Sequence, residues 1–336
     1  MIESSSLPYL QSLWALTDDR PGNTTQVLGV CDQLGKGVQE KAIRFTGLER
    51  IPNSLRGASL LGVDSASRAS LVAPWPDLVI AAGRRLAPVS RWIKRQSAGK
   101  TRIVQIMFAG KAGAKDFDLI VIPRHDDFSK AKNWQNVCYV TGAPTRITSE
   151  LLAREAEHWR RRYEPLPRPY IAMLVGGATR KHPFSRSQAH DLGELIGSLA
   201  KSYGGSPLVT TSPRTSSDIA DTLIQVVPTP NSIHTWSPGS DNPYVGILGL
   251  ADIIVVTGDS ISMCAEACAT SKPVYIFAPP GSVSKKHERF HQQLFDLGCA
   301  RPLGQRLDSW THLPLHPATD IAEAIRKMFL DIHVHG

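Results

Sequence analysis

The chain has 336 residues, 42% hydrophobic and 20% charged, with a formal net charge of +8. That length exceeds one ordinary core and suits two domains of roughly 150 residues each, while no apolar stretch approaches the roughly 20 residues of a membrane-spanning helix. Five cysteines, at positions 31, 138, 264, 268 and 299, form an odd set without metal-ligand spacing, which argues against a disulfide framework or a zinc site and for a reducing cytoplasm.

The opening MIESSSLPYLQSLWALTDDR has no basic leader and no long apolar core before its charges, so no secretion signal is expected. The first strand, Leu13 to Thr17, runs into Asp18-Asp19-Arg20-Pro21-Gly22-Asn23 and then an amphipathic segment. Gly22 permits close backbone approach, and Asp18 and Asp19 are candidate general bases for an acceptor hydroxyl, with Arg20 and Asn23 beside them. The competing reading is a turn and helix cap built from residues that favour turns.

Strands are predicted next at Leu78 to Ala82, Ile103 to Met107 and Leu119 to Ile122. From Leu78 through Lys115 there is no acid, while Arg84, Arg85, Arg91, Lys94, Arg95, Lys100, Arg102, Lys111 and Lys115 accumulate. Within this block RRLAPVSRWIKRQ spaces its apolar residues as an amphipathic helix after Pro88. Two readings compete for residues 84 to 102: attachment to an anionic membrane surface, or a solvated basic face whose apolar side belongs to the core. No nucleic-acid motif accompanies the charge, so nucleic acid is not an expected partner. PRHDD, residues 123 to 127, should end at the same sheet rim as the Asp18 loop, and His125 flanked by Asp126 is a third candidate base.

A helix over SELLAREAEHWRRRYE, then EPLPRP, marks a boundary near 145 to 169. The second half brings strands at Tyr170 to Val175, Leu208 to Thr211, Leu223 to Val227, Ile253 to Thr257 and Val274 to Phe277. Most are continuous apolar runs, the signature of parallel strands buried on both faces, so the fold class is α/β with two Rossmann-like domains. Facing one another, their sheets would frame a central cleft, a common place for ligands.

Strand-end loops carry the candidate chemistry of this half. In VGGATRKHPFS, Gly176 and Gly177 allow a phosphate or sugar to approach, and Arg180 or Lys181 would neutralise a departing diphosphate. Thr211, Ser212 and Arg214 follow the next strand. The long loop 228 to 244 places Trp236 either over a base or sugar or in the core, and Tyr244 opens the helix that leads to the Asp252 strand. Most informative is ADIIVVTGDSISMCAEACATSKPVYIFAP: strand, turn at Gly258, a helix start with Asp259, Ser260 and Ser262, and Glu266 one and a half turns along. A helix start suits phosphate, and a carboxylate at that distance suits ribose hydroxyls. Capping by Asp259 or Ser260 explains the turn without explaining Glu266.

This segment is similar to the donor-site signature of GT-B glycosyltransferases, in which a strand ends in Ser-Gly, a Thr or Ser opens a helix and a Glu reads the ribose. Together with TDDRPGNTTQVLG, PRHDD, VGGATRKHPFS and NPYVGILGLADIIVVTGDSISMCAEA, it makes the whole chain resemble a bacterial-type member of the Elm mitochondrial-fission family. The resemblance implies a GT-B-like fold, with an acceptor domain over residues 1 to 150, a donor domain over 165 to 317, and a terminal helix over 318 to 336 crossing back to the first. It also implies a cytoplasmic glycosyltransferase, peripheral to the inner face of the membrane where it touches one, that needs no metal and no cofactor beyond its nucleotide-sugar substrate. A lipid-linked or lipopolysaccharide acceptor suits the basic block. A GT-B nucleotide-sugar epimerase and a non-catalytic adaptor of the organelle-division type are the rival readings.

Overall fold

A computed structural model of the chain describes residues 10–334 except 36, 127–130, 132 and 178–181, with side chains through 330. The chain forms two compact units, Met1–Arg146 with His316–Gly336, and Ile147–Leu315. The first contains strands β1 (Leu13–Thr17), β2 (Val38–Ala42), β3 (Leu78–Ala82), β4 (Arg102–Ile106), β5 (Leu119–Pro123) and β6 (Val137–Val140). Its helices are α1 (Pro21–Leu34), the short α2 (Asn53–Arg56) and α3 (Ser65–Ala69), and α4 (Ala87–Gln96). The six strands pair in parallel in the order β2-β1-β3-β4-β5-β6.

Side-chain alternation explains the continuous apolar runs. In β1, Leu13 and Ala15 enter the core layer that includes Val27 and Val30 of α1, while Trp14 and Leu16 enter the opposite layer with Val89 and Ile93 of α4. Both sheet faces are covered, so every residue of β1 is buried.

The second unit contains α5 (Ser149–Tyr163), β7 (Tyr170–Val175), α6 (Arg186–Tyr203), β8 (Ser206–Thr211), α7 (Ser217–Val226), β9 (Ser232–His234) and α8 (Tyr244–Leu250). It continues through β10 (Ile253–Thr257), α9 (Ile261–Cys268), β11 (Val274–Phe277), α10 (Lys285–Asp296) and β12 (Arg301–Pro302). Its parallel order is β12-β11-β10-β7-β8-β9. The last helix, α11 (Pro317–Val334), belongs to the first unit, where Ile321 and Ile325 share a core layer with Leu13 and Val27.

Strand order places the crevices. In an open parallel sheet the connections diverge where the order reverses, and the carboxyl ends of the two strands flanking that point frame a binding site. The reversal lies between β1 and β3 in the first unit and between β7 and β10 in the second. The segments at these points are Asp18–Arg20 and the first turn of α1 with Gly83–Arg85, and Gly176–Gly177 with Gly258–Ser260.

Several sequence expectations are corrected. Leu223 to Val227 is not a strand: Leu223 to Val226 close α7. Ile219 and Leu223 recur at helical spacing and are buried together, a pattern hidden when the β-branched run is read alone. Strands β2, β6, β9 and β12 escape periodicity because they are edge or near-edge segments with exposed or half-buried residues. The apolar side of α4 lies in the core, with Leu86, Val89 and Ile93 fully buried, and so does not offer an insertion face to a bilayer. Much of its basic block is paired through later acids: Arg91 with Asp116, and Lys94 and Arg102 with Asp118.

Helix α8, which presents Tyr244, is anchored from both ends. Gly246 and Gly249 let it approach α5 so closely that a Cβ at Gly246 would stand 2.3 Å from the Trp159 ring and one at Gly249 would stand 2.5 Å from the Leu152 carbonyl oxygen. Lys272 donates to the closing carbonyls of Leu248 and Gly249 at 2.8 and 2.6 Å, and burial lowers its pKa to about 8. Gly246→Ala is therefore expected to destabilise the protein by about 1–3 kcal/mol despite alanine's better helix propensity. Urea denaturation would check it; an unchanged or raised midpoint at constant slope would show that the α5–α8 contact relaxes freely.

Candidate functional site

In the second unit, β10 ends at Thr257 and α9 begins after Ser260, whose hydroxyl accepts the Met263 N–H at 3.4 Å. Ser260 is thus the cap, and Asp259 does something else. Its carboxylate accepts the Gly177 N–H at 2.9 Å and the Arg214 guanidinium at 3.1 Å, joining the loops after β7, β8 and β10. A Cβ at Gly176 would sit 2.4 Å from that carboxylate, and one at Gly177 would sit 2.2 Å from the Arg214 carbonyl oxygen. The two glycines therefore make room for the protein's own loops, a different use from the ligand approach read in the sequence.

Ser212 and Thr215 complete the bracing. Ser212 donates to the Gly176 carbonyl at 2.8 Å, and Thr215 bonds the same oxygen. Thr211 accepts the Trp236 N–H at 2.8 Å, tying the long loop to the end of β8 with Trp236 part-exposed. Arg180 and Lys181 lie outside the described residues. Thr257, Gly258 and Asp259 line a narrow cleft of about 10 Å³, together with His182, Phe184 and Phe277.

Further along α9, the Tyr244 hydroxyl donates to Glu266 Oε2 at 2.6 Å. Two residues 22 positions apart thus converge beyond the helix start. Burial pushes the Glu266 carboxyl up to about 7, with the Tyr244 bond working in the opposite direction. Burial, then the Glu266 charge, holds the Tyr244 phenol well above its usual range and keeps it a donor. Ser262 stands half-buried in the same first turn of α9.

Sequence reasoning missed His291. Its ring packs where a side chain at Gly258 would go, 2.5 Å from the Cβ position, and its Nε2 lies 2.9 Å from the Gly258 carbonyl. A carbonyl only accepts, so Nε2 carries the proton, and burial lowers the pKa to about 4, leaving the ring neutral. The one sequence signal was the i, i+4 pair His287 and His291 on α10; nothing in it indicated the Gly258 turn.

In the first unit, the Asp18 side chain is fully buried: Oδ1 accepts the Arg20 N–H at 3.1 Å and Oδ2 the Arg85 guanidinium at 2.9 Å. Asp19 binds the same guanidinium but is 77% exposed. Asn23 lies against Gly83, 2.8 Å from the position of a Cβ there, and Gly22 faces open space. The structure therefore gathers Asp18, Asp19, Asn23 and the unanticipated Arg85 at one switch point. His125 is 2% exposed at the end of β5, with Asp126 half-buried beside it. Strands β3 and β4 separate β5 from β1, a span of roughly 14 Å at the usual spacing, so His125 and the aspartates do not act on one hydroxyl. Among the described residues no three His, Cys, Asp or Glu side chains gather as a metal site, and no helix is long and apolar enough to cross a membrane.

Two parallel six-stranded units with loops gathered at their switch points define a GT-B fold. The chain belongs to the mitochondrial fission ELM1 family, whose profile matches residues 21–329. It is 26% identical to an uncharacterised Rickettsia prowazekii protein, RP120, over 94% of this chain and 98% of that one. It is also 26% identical to Arabidopsis thaliana mitochondrial fission protein ELM1, over 82% and 69% of the two chains. Among solved structures it is similar in fold to the UDP-GlcNAc 2-epimerase of Methanocaldococcus jannaschii, with a TM-score of 0.57 at 11% identity over 95% and 99%.

Proposed function

We propose that the second unit binds a nucleotide sugar and that the protein transfers the sugar to a hydroxyl acceptor held by the first unit. The observation that carries the donor reading is the Tyr244–Glu266 pair beyond the start of α9: a carboxylate held by one oxygen keeps the other for ribose hydroxyls. Arg214 and the first turn of α9 supply the charge and dipole that a leaving diphosphate requires. Asp19, exposed and oriented by Arg85, is the acceptor base, and Asp18 positions Arg85. A cell-envelope or lipid-linked acceptor suits the exposed cations of the basic block that are left without an acid partner among the described residues, Arg84, Arg95, Lys100, Lys111 and Lys115.

Calorimetric titration with UDP, other nucleotides and their sugar conjugates tests the donor site. Glu266→Ala should weaken nucleotide binding by about 1.5–3 kcal/mol, the usual worth of a hydrogen bond to a charged group. The protonated acid is the poorer acceptor, so wild-type affinity should rise as pH climbs through about 7 and then level off. Glu266→Gln should flatten that rise. Equal affinities in wild type and Glu266→Ala would remove the ribose assignment.

The epimerase reading has one observation in its favour: both Asp18 oxygens are occupied and His125 is buried, which leaves the first unit few groups for an acceptor. The M. jannaschii fold relative has also been solved with UDP-GlcNAc and UDP. Interconversion of sugar isomers without any added acceptor would select that reading over transfer.

A further inference from the structure

Asp259 puts an acid where the proposed site should hold an anion. It is 8% exposed, and its Oδ2 takes two donors that suit a phosphate, the Gly177 N–H and the Arg214 guanidinium. Its Oδ1 is buried and has no hydrogen-bond partner among the described residues. Capping does not account for this carboxylate, because Ser260 caps α9. The N–H groups of Ile261 and Ser262 in that first turn have no acceptor among the described residues, so the helix start remains open to an anion.

A carboxylate resting on a strand-end amide and an arginine beside an open helix start makes the interactions a phosphate would make. We propose that Asp259 is an internal anion that occupies the phosphate seat and must be displaced by an entering diphosphate. It thereby sets the affinity and the minimum charge of the ligand. This inference rests on the nucleotide reading of the second unit. Like charges in a part-buried setting repel, so a diphosphate and an unmoved Asp259 do not share the seat. Displacement frees Gly177 and Arg214 for the phosphate, whereas an uncharged nucleoside leaves the carboxylate in place.

The test compares UDP, inorganic pyrophosphate and uridine by titration calorimetry against wild type, Asp259→Asn and Asp259→Ser, with circular dichroism as the folding control. Both variants should bind UDP and pyrophosphate about tenfold or more tightly, roughly 1.4 kcal/mol, with uridine unchanged. Unchanged or weaker anion binding in a folded variant overturns the displacement role. Failure of both variants to fold also overturns it, since the carboxylate would then be a structural brace. If wild type shows Glu266-dependent UDP binding while the Asp259 variants match it, only this inference falls. If no form binds UDP or pyrophosphate, the nucleotide reading falls with it.

Discussion

Arg85→Ala is expected to lower the unfolding free energy by about 3–5 kcal/mol, the cost of leaving a buried charge without its partner. Asp18 is that charge: its side chain is fully buried, and among the described residues Arg85 is its only charged partner, at 2.9 Å. Arg85 is itself largely enclosed, 10% exposed, with its guanidinium 4.8 Å from the Phe45 ring centroid, so truncation also removes packing. Asp18→Asn in the same background should recover much of the loss, because a neutral amide needs no counter-charge. Urea denaturation of the wild type, both single variants and the double variant gives the coupling directly. A loss below about 1 kcal/mol in Arg85→Ala, with no coupling to Asp18, would place this pair among ordinary surface salt bridges.

Asp19→Asn should cut sugar transfer by about 100- to 10,000-fold while leaving nucleotide affinity nearly intact, the pattern expected when a general base is removed from a domain that does not bind the donor. Asp19 is favoured over its neighbour by exposure: 77% of its side chain is accessible, against none for Asp18, whose oxygens are both engaged. Its substitution should therefore leave stability almost unchanged, unlike that of Arg85. The measurement is turnover and donor affinity for Asp19→Asn beside His125→Ala, using the donor found by titration and acceptors drawn from envelope extracts. Turnover within a few-fold of wild type for Asp19→Asn would reject it as the base. A large loss in His125→Ala alone would move the chemistry to the β5 end of the sheet.

The central strands were legible because burial on both faces leaves unbroken apolar runs. Leu13 to Thr17, Leu78 to Ala82, Tyr170 to Val175, Ile253 to Thr257 and Val274 to Phe277 all stand where those runs predict them. Edge strands were not, since β2, reading VQEKA, is mostly exposed and carries no apolar signal. The same reasoning explains α7, where the run Leu223 to Val227, apolar but for Gln225, satisfied a strand pattern although Ile219 and Leu223 align on one helical face.

For the site, local sequence determined the strand-turn-helix at Gly258 and the distance of Glu266 from its start, because both lie on one short continuous segment whose geometry follows from helical rise. Partnerships between segments were decided only by the tertiary structure. Tyr244 meets Glu266 because two glycines seat α8 on α5, Arg85 meets Asp18 because β3 lies beside β1, and Asp259 meets Arg214 because β7 stands between β10 and β8. Strand order is set by the summed burial of both sheet faces, so it is written in no single motif, and the roles of residues at strand ends depend on it.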